Sequence, residues 1–98
     1  MMPTYVLFWN WTDQGVKAAK DTVKRHETAI AQFQKLGVTV KDTYWTMGAY
    51  DGLSIIEAPD DATMSKAALW IGGLGNVRTA TARAYSKSEI SKILDSLP

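Results

Sequence analysis

The chain has 98 residues, no cysteine, and 11 Lys and Arg against 10 Asp and Glu, for a net charge of +1. That length makes one domain, residues 1–98, and the balanced charge leaves no electrostatic footprint for nucleic acid or an anionic membrane. The absence of thiols excludes disulfides, thiolate catalysis and thiolate metal sites, and fits a reducing cytoplasm.

The start, Met1-Met2-Pro3-Thr4, lacks the basic segment of a secretory signal, and no apolar run approaches the ~20 residues of a membrane span. Tyr5–Trp11 reads as a strand from its aromatic and β-branched residues. Tyr5, Leu7, Trp9 and Trp11 share one face; Val6, Phe8 and Asn10 share the other. Both faces are mostly apolar, so each is expected to be covered.

Thr12 or Asp13 can cap a helical segment reaching Leu36. Its apolar positions include Val16, Ala19, Val23, Ile30 and Phe33, a helical stripe once position 26 is counted. Asp21-Thr22 is a candidate break, with Thr22 capping a second piece, and Gly37 suits the helix end. Val38–Thr46 reads as the second strand and Leu53–Ala58 as the third, joined at Gly48-Ala49-Tyr50-Asp51 by an antiparallel corner. Pro59 ends that strand. Asp60 or Asp61 caps a helix from Ala62 to about Ile71, which Gly72-Gly73 stop. Val77–Tyr85 is the fourth strand. Ser86 caps a final helix, Lys87–Leu94, with an apolar edge of Ile90, Ile93, Leu94 and Leu97.

The order is β-α-β-β-α-β plus a terminal helix. This is an α+β, ferredoxin-like pattern with a four-stranded antiparallel sheet and both main helices on one face. The simplest cover for the other face is a second copy related by a twofold axis. The expectation is therefore a homodimer with sheet-on-sheet contact or barrel-like closure, or a higher assembly built from it.

Several words of the chain, taken together, resemble the GYD-domain family over nearly the whole length. They are Asn10-Trp11-Thr12-Asp13-Gln14-Gly15, Lys24-Arg25, Lys35-Leu36-Gly37, Met47-Gly48-Ala49-Tyr50-Asp51, Glu57-Ala58-Pro59-Asp60-Asp61 and Gly75-Asn76-Val77-Arg78-Thr79. The resemblance implies a ferredoxin-like fold of the dimeric α+β barrel type. That wider group holds cofactor-free monooxygenases, small isomerases, haem-using enzymes and proteins without known activity. Such sequences often carry Ser-Pro where this one has Thr22-Val23. The resemblance passes on no catalytic residue.

Candidate residues come from the sequence itself. Tyr50 and Asp51 bring a phenol and a carboxylate to the corner, for proton transfer or ligand orientation, or as a turn device around Gly48. His26, the lone histidine, falls on the helical stripe. It is the natural general base, or else a histidine bonded at the edge of the core. One imidazole and no thiol give no zinc set within a chain, so no metal is expected. Asn10, Trp11, Trp45 and Arg78 are candidate ligand-binding residues. If the Asn10 face meets the helices, Asn10 is a buried amide needing partners; the tryptophans line a pocket or a dimer core; and Arg78, beside Ala80, Ala82 and Ala84, faces an anionic ligand or pairs with Asp51 or Glu57. Gly72-Gly73-Leu74-Gly75-Asn76 runs from helix to strand, opposite to a phosphate-binding loop.

Two functions remain. One is a homodimer binding a small aromatic or apolar molecule between sheet and helices, either non-catalytic or performing monooxygenase- or isomerase-like chemistry through His26, Tyr50 and Asp51. The other is an interaction module whose aromatics serve only assembly. No cofactor is expected, although haem would have His26 as its one available imidazole ligand.

Overall fold

A computed structural model describes residues 2–98. The elements follow in the order β1 (Thr4–Trp11), α1 (Asp13–Lys17), a 3-10 turn (Ala19–Asp21), α2 (Thr22–Lys35), β2 (Thr39–Trp45), β3 (Gly52–Glu57), α3 (Asp61–Gly73), β4 (Val77–Ala84) and α4 (Lys87–Asp95). The four strands form one antiparallel sheet in the order β2-β3-β1-β4, so the fold is α+β and ferredoxin-like. No helix among the described residues is long and apolar enough to cross a membrane.

Burial alternates along β1 and β3, and this identifies the two faces. Tyr5, Leu7 and Trp9 are buried, as are Ser54 and Ile56, and they pack with Phe33, Val38, Ala58, Met64 and Ala67 beneath the helices. The opposite face carries Val6, Phe8 and Asn10 of β1, Leu53 and Ile55 of β3, and Ala80 and Ala82 of β4, none of them buried. Asn10 is therefore on the face away from the helices, contrary to the conditional reading in which it becomes a buried amide. The larger ring-bearing set, Tyr5-Leu7-Trp9, takes the helix side because it fills the wide space under α2 and α3.

The first helical segment breaks in three. Thr12 caps α1, its hydroxyl accepting from the Gly15 N–H at 3.1 Å. Thr22 does not cap the second piece. It is the first residue of α2, and Asp21 stands at the N-cap position without a side-chain bond. The break also shifts the stripe's phase, so Val16 and Val23 are 50% and 56% exposed while Phe33 is buried. In α3 the helix continues through Gly72 and Gly73. The left-handed residue that ends it is Gly75, at φ 85°. The cap is Asp60, whose carboxylate accepts from the Thr63 N–H at 2.8 Å. A bulge between Val40 and Asp42 resets the alternation of β2, so Thr43 pairs with Ser54 and Trp45 with Gly52 on the helix side.

Candidate functional site

A cavity of about 330 Å³ lies between the sheet and helices α2 and α3. Its sheet wall includes Leu7, Trp9, Trp11, Trp45 and Ser54; α2 contributes His26, Ala29 and Phe33, and α3 contributes Trp70 and Ile71. All four tryptophans of the chain thus border one space. Trp9 and Trp45 meet edge to face at 6.1 Å between centroids, and Phe33 and Trp70 do so at 6.0 Å, the geometry that aromatic quadrupoles favour.

Backbone chemistry sets this arrangement. A Cβ on Gly52 would fall 2.0 Å from the Trp9 ring, so only glycine lets that indole cross β3. Trp45 donates its indole N–H to the Thr22 hydroxyl at 3.0 Å, tying the end of β2 to the first turn of α2. Ser54 and Thr43 satisfy one another at 3.0 Å on the sheet wall. Arg25, which also lines the cavity, donates to the carbonyls of Ala18 at 2.7 Å and Gly15 at 3.2 Å and braces the helical break.

His26 is half-buried on the α2 wall, with its ring edge-on to Trp45 at 5.2 Å between centroids. Burial lowers its pKa from the usual imidazole value, because the charged form loses hydration. The group facing the cavity is therefore a neutral imidazole near pH 7, able to accept a hydrogen bond or take a proton. Among the described residues there is no group of three or more His, Asp or Glu placed to hold a metal ion.

The structure separates the other sequence candidates from this space. Tyr50 stacks on Phe8 at 4.6 Å between centroids, on the open sheet face. Asp51 lies at the end of β1, where its Oδ2 accepts from the Trp11 N–H at 2.9 Å. The Asp51 N–H donates to the Trp9 carbonyl at 2.9 Å and to Asn10 Oδ1 at 3.1 Å. Thr46 closes the corner by donating to the carbonyls of Asp51 at 2.9 Å and Tyr50 at 2.6 Å. Gly48 supplies the turn with φ 116°. Arg78 pairs across the strands with Asn10 on the open face and is exposed. The ion pairs among the described residues are Lys41–Glu57 and Arg83–Glu89, so Arg78 forms no bridge to Asp51 or Glu57. Trp11, Trp45 and His26 therefore share the cavity, whereas Asn10, Tyr50 and Arg78 sit across the sheet from it and Asp51 braces its end.

Sequence reasoning missed two groups. Trp70 lines the cavity from α3; its spacing from Met64 and Ala67, both buried, is the helical signal that could have found it. The second group is polar. Buried Tyr5 donates to Asp61 Oδ1 at 2.5 Å, and this bond, with burial adding to it, pushes the phenol up to about 12. Arg83 lies over the Tyr5 ring at 5.6 Å and the Tyr85 ring at 4.6 Å, and pairs with Glu89 of α4 at 3.1 Å.

Two of the words that carry the family resemblance meet in space. Thr12 donates through its hydroxyl to the Gly75 carbonyl at 2.6 Å and through its N–H to the Asn76 carbonyl at 3.1 Å. Gln14 donates to Leu74 and Asn76, and Gly15 leaves no room for a Cβ, which would fall 1.9 Å from the Asn76 carbonyl oxygen. In comparisons with known proteins, a glutamine synthetase and cystathionine beta-lyase binding protein of Thermus thermophilus is 29% identical over 90 residues, covering 91% of this chain and 95% of that protein. No solved structure matches the chain significantly. The family model for the GYD domain matches residues 5–94, and the chain, with its braced Gly48–Asp51 corner and its Thr12–Asn76 latch, belongs to the GYD-domain family.

Proposed function

We propose that this chain is a small homodimeric binding protein that takes an apolar or aromatic molecule into the cavity between sheet and helices. One observation carries the reading: all four tryptophans converge on one space of about 330 Å³ beside a neutral imidazole. A core shaped for stability alone is filled to close-packed density. This space is instead at the lower end of the roughly 300–1,000 Å³ typical of small-molecule sites, mostly apolar with a polar group to orient the guest. The paired hydroxyls of Ser54 and Thr43 offer little further polarity. A flat ring carrying one O–H or N–H, donated to His26, fits that chemistry. In this reading no cofactor takes part, and the lack of cysteine suits the reducing cytoplasm in which it sets the protein.

The open face of the sheet supports the homodimer, since Val6, Leu53 and Ile55 are only half-buried there and Phe8 is covered in part by Tyr50. A second reading, a module that binds other proteins, is favoured by the name of the Thermus thermophilus relative, a binding protein for two enzymes. The two readings are compatible if the guest controls the contact.

Thermal shifts against aromatic acids, quinones, flavins and haem, run with Ala29→Phe and His26→Ala, test the ligand reading. Ala29 lines the cavity from α2, so a phenyl there occupies the guest's space. A stabilisation of several degrees, as saturating binding to the native state produces, that disappears in Ala29→Phe supports the site. No shift with any compound moves the assignment to the protein-binding reading.

A further inference from the structure

The C-terminal helix stands apart from the body of the molecule. Ile90, Ile93, Leu94 and Leu97 are 38%, 44%, 56% and 64% exposed, and α4 makes no extensive contact with any other element. The molecule extends 51 Å along its longest axis with a radius of gyration of 14.7 Å, against about 13 Å for a compact chain of this length. Yet α4 is well built. Ser86 and Glu89 form a reciprocal capping box, and Arg83 holds Glu89 at 3.1 Å while stacking on Tyr85. At 100° per residue Ile90, Ile93 and Leu94 fall within about a third of a turn, beginning just beside the Glu89 position, and Leu97 follows the helix end. An apolar stripe is thus presented beside the sheet and covers little of the described chain.

We infer that α4 is an arm that docks on a second copy of this chain, beside that copy's β2 edge. Area is the first argument. Strands of 8, 7, 6 and 8 residues give an open face of roughly 500 Å², or about 1,000 Å² for a stacked pair. Stable specific interfaces bury about 1,200–2,000 Å² in total. Two docked arms, each contributing four Ile and Leu side chains, supply the difference.

Shape is the second argument. On the open face β4 is low beyond Arg78 at its start, with Ala80, Ala82 and Ala84, whereas the β2–β3 side is tall, with Tyr44, Leu53 and Ile55. A twofold axis along the strands sets low against tall and brings β4 of one copy over β2 of the other. The arm, which leaves β4 after Tyr85, then passes the partner copy's β2 edge. Lys87, Lys92 and Asp95 on α4 face a region carrying Asp42, Glu57 and Lys41, a complementary mixture of charge. This inference rests on the homodimer proposed above and not on the cavity's guest.

Sedimentation equilibrium of the full chain tests it, comparing wild type with Ile93→Asp/Leu97→Asp and with the sheet-face variant Ile55→Asp. The arm variant is expected to weaken the dimer at least 100-fold while circular dichroism and the melting of the monomer stay as in wild type. In mixed ¹⁴N/¹⁵N dimers, a lysine cross-linker is expected to join Lys92 of one copy to Lys41 of the other. Unchanged dimer affinity in the arm variant, with Ile55→Asp dissociating, overturns the arm and leaves the homodimer standing. A wild type that stays monomeric overturns both. Links from Lys92 confined to its own copy, or an arm variant that loses only the capture of a foreign protein, also overturn the arm.

Discussion

Trp45 reaches across from the end of β2 and gives its indole N–H to Thr22 at 3.0 Å. The same ring presents its edge to Trp9 at 6.1 Å and to His26 at 5.2 Å. One side chain therefore fixes where α2 begins, closes one end of the cavity and confines the imidazole. Trp45→Phe keeps an aromatic ring but deletes the donor together with the pyrrole portion of the indole. We expect a loss of about 0.5–1.5 kcal/mol in chemical denaturation, the usual net worth of one hydrogen bond, and Thr22→Val to lose a similar amount. The double variant should lose little more than either alone, because the two groups form one interaction.

The imidazole gives a pH dependence of known sign. Burial lowers the His26 pKa in the folded state, so the unfolded chain binds the proton more readily. Stability from this group is complete above the ordinary value of 6.5 and is lost as pH falls from there through the folded value. Melting temperature should therefore decline as pH falls below about 6.5, and His26→Gln should flatten that part of the profile. An identical slope in the variant would assign the decline to other groups.

Gly52 is the passage for Trp9. In Gly52→Ala a Cβ would lie 2.0 Å from the indole, which must move or push the strand. Overpacking of this kind costs about 1–3 kcal/mol. The variant should also shift Trp9 emission and weaken any aromatic guest, since Trp9 borders the cavity.

Asp51 separates architecture from chemistry. Asp51→Ala removes the acceptor for the Trp11 N–H, with an expected loss of about 1–3 kcal/mol. Tyr50→Leu, which keeps an apolar side chain over Phe8, should cost less. Both should leave guest affinity within a few-fold of wild type when measured by calorimetry well below the melting temperature. A large loss of affinity in Tyr50→Leu at full stability would return the phenol to the site.

Much of this molecule is legible from local chemistry. The β1 residues read as a strand because rings and β-branches fit a pleat, and Ser86 announced α4 because its hydroxyl suits a cap, to which Glu89 adds the return bond of a capping box. Which face of β1 turns inward was harder, since both faces are apolar. Ring volume decided it, through the space that α2 and α3 enclose. Thr22 misled because a hydroxyl at a helix start suits a cap, whereas here it serves as acceptor for a tryptophan 23 positions away. The same distance effect hid the part Trp70 plays in the cavity: Trp9, Trp45 and Trp70 come from three elements, and only packing brings them together. Tyr50 and Asp51 stood out as chemistry because a phenol and a carboxylate are adjacent in the chain. Their partners, Phe8, Trp9, Asn10 and Trp11, are tertiary neighbours, and those neighbours make the corner a brace.

The four indole N–H groups make the cavity directly observable. We would titrate ¹⁵N-labelled protein with 1-naphthol and follow the four indole resonances. The cavity reading predicts saturable shifts in the indoles of Trp9, Trp11, Trp45 and Trp70, lost in Ala29→Phe, with the backbone amides of Ala49 to Asp51 unmoved. Indoles that stay unshifted at millimolar naphthol, or that shift equally in Ala29→Phe, would contradict it and leave the tryptophans as packing alone.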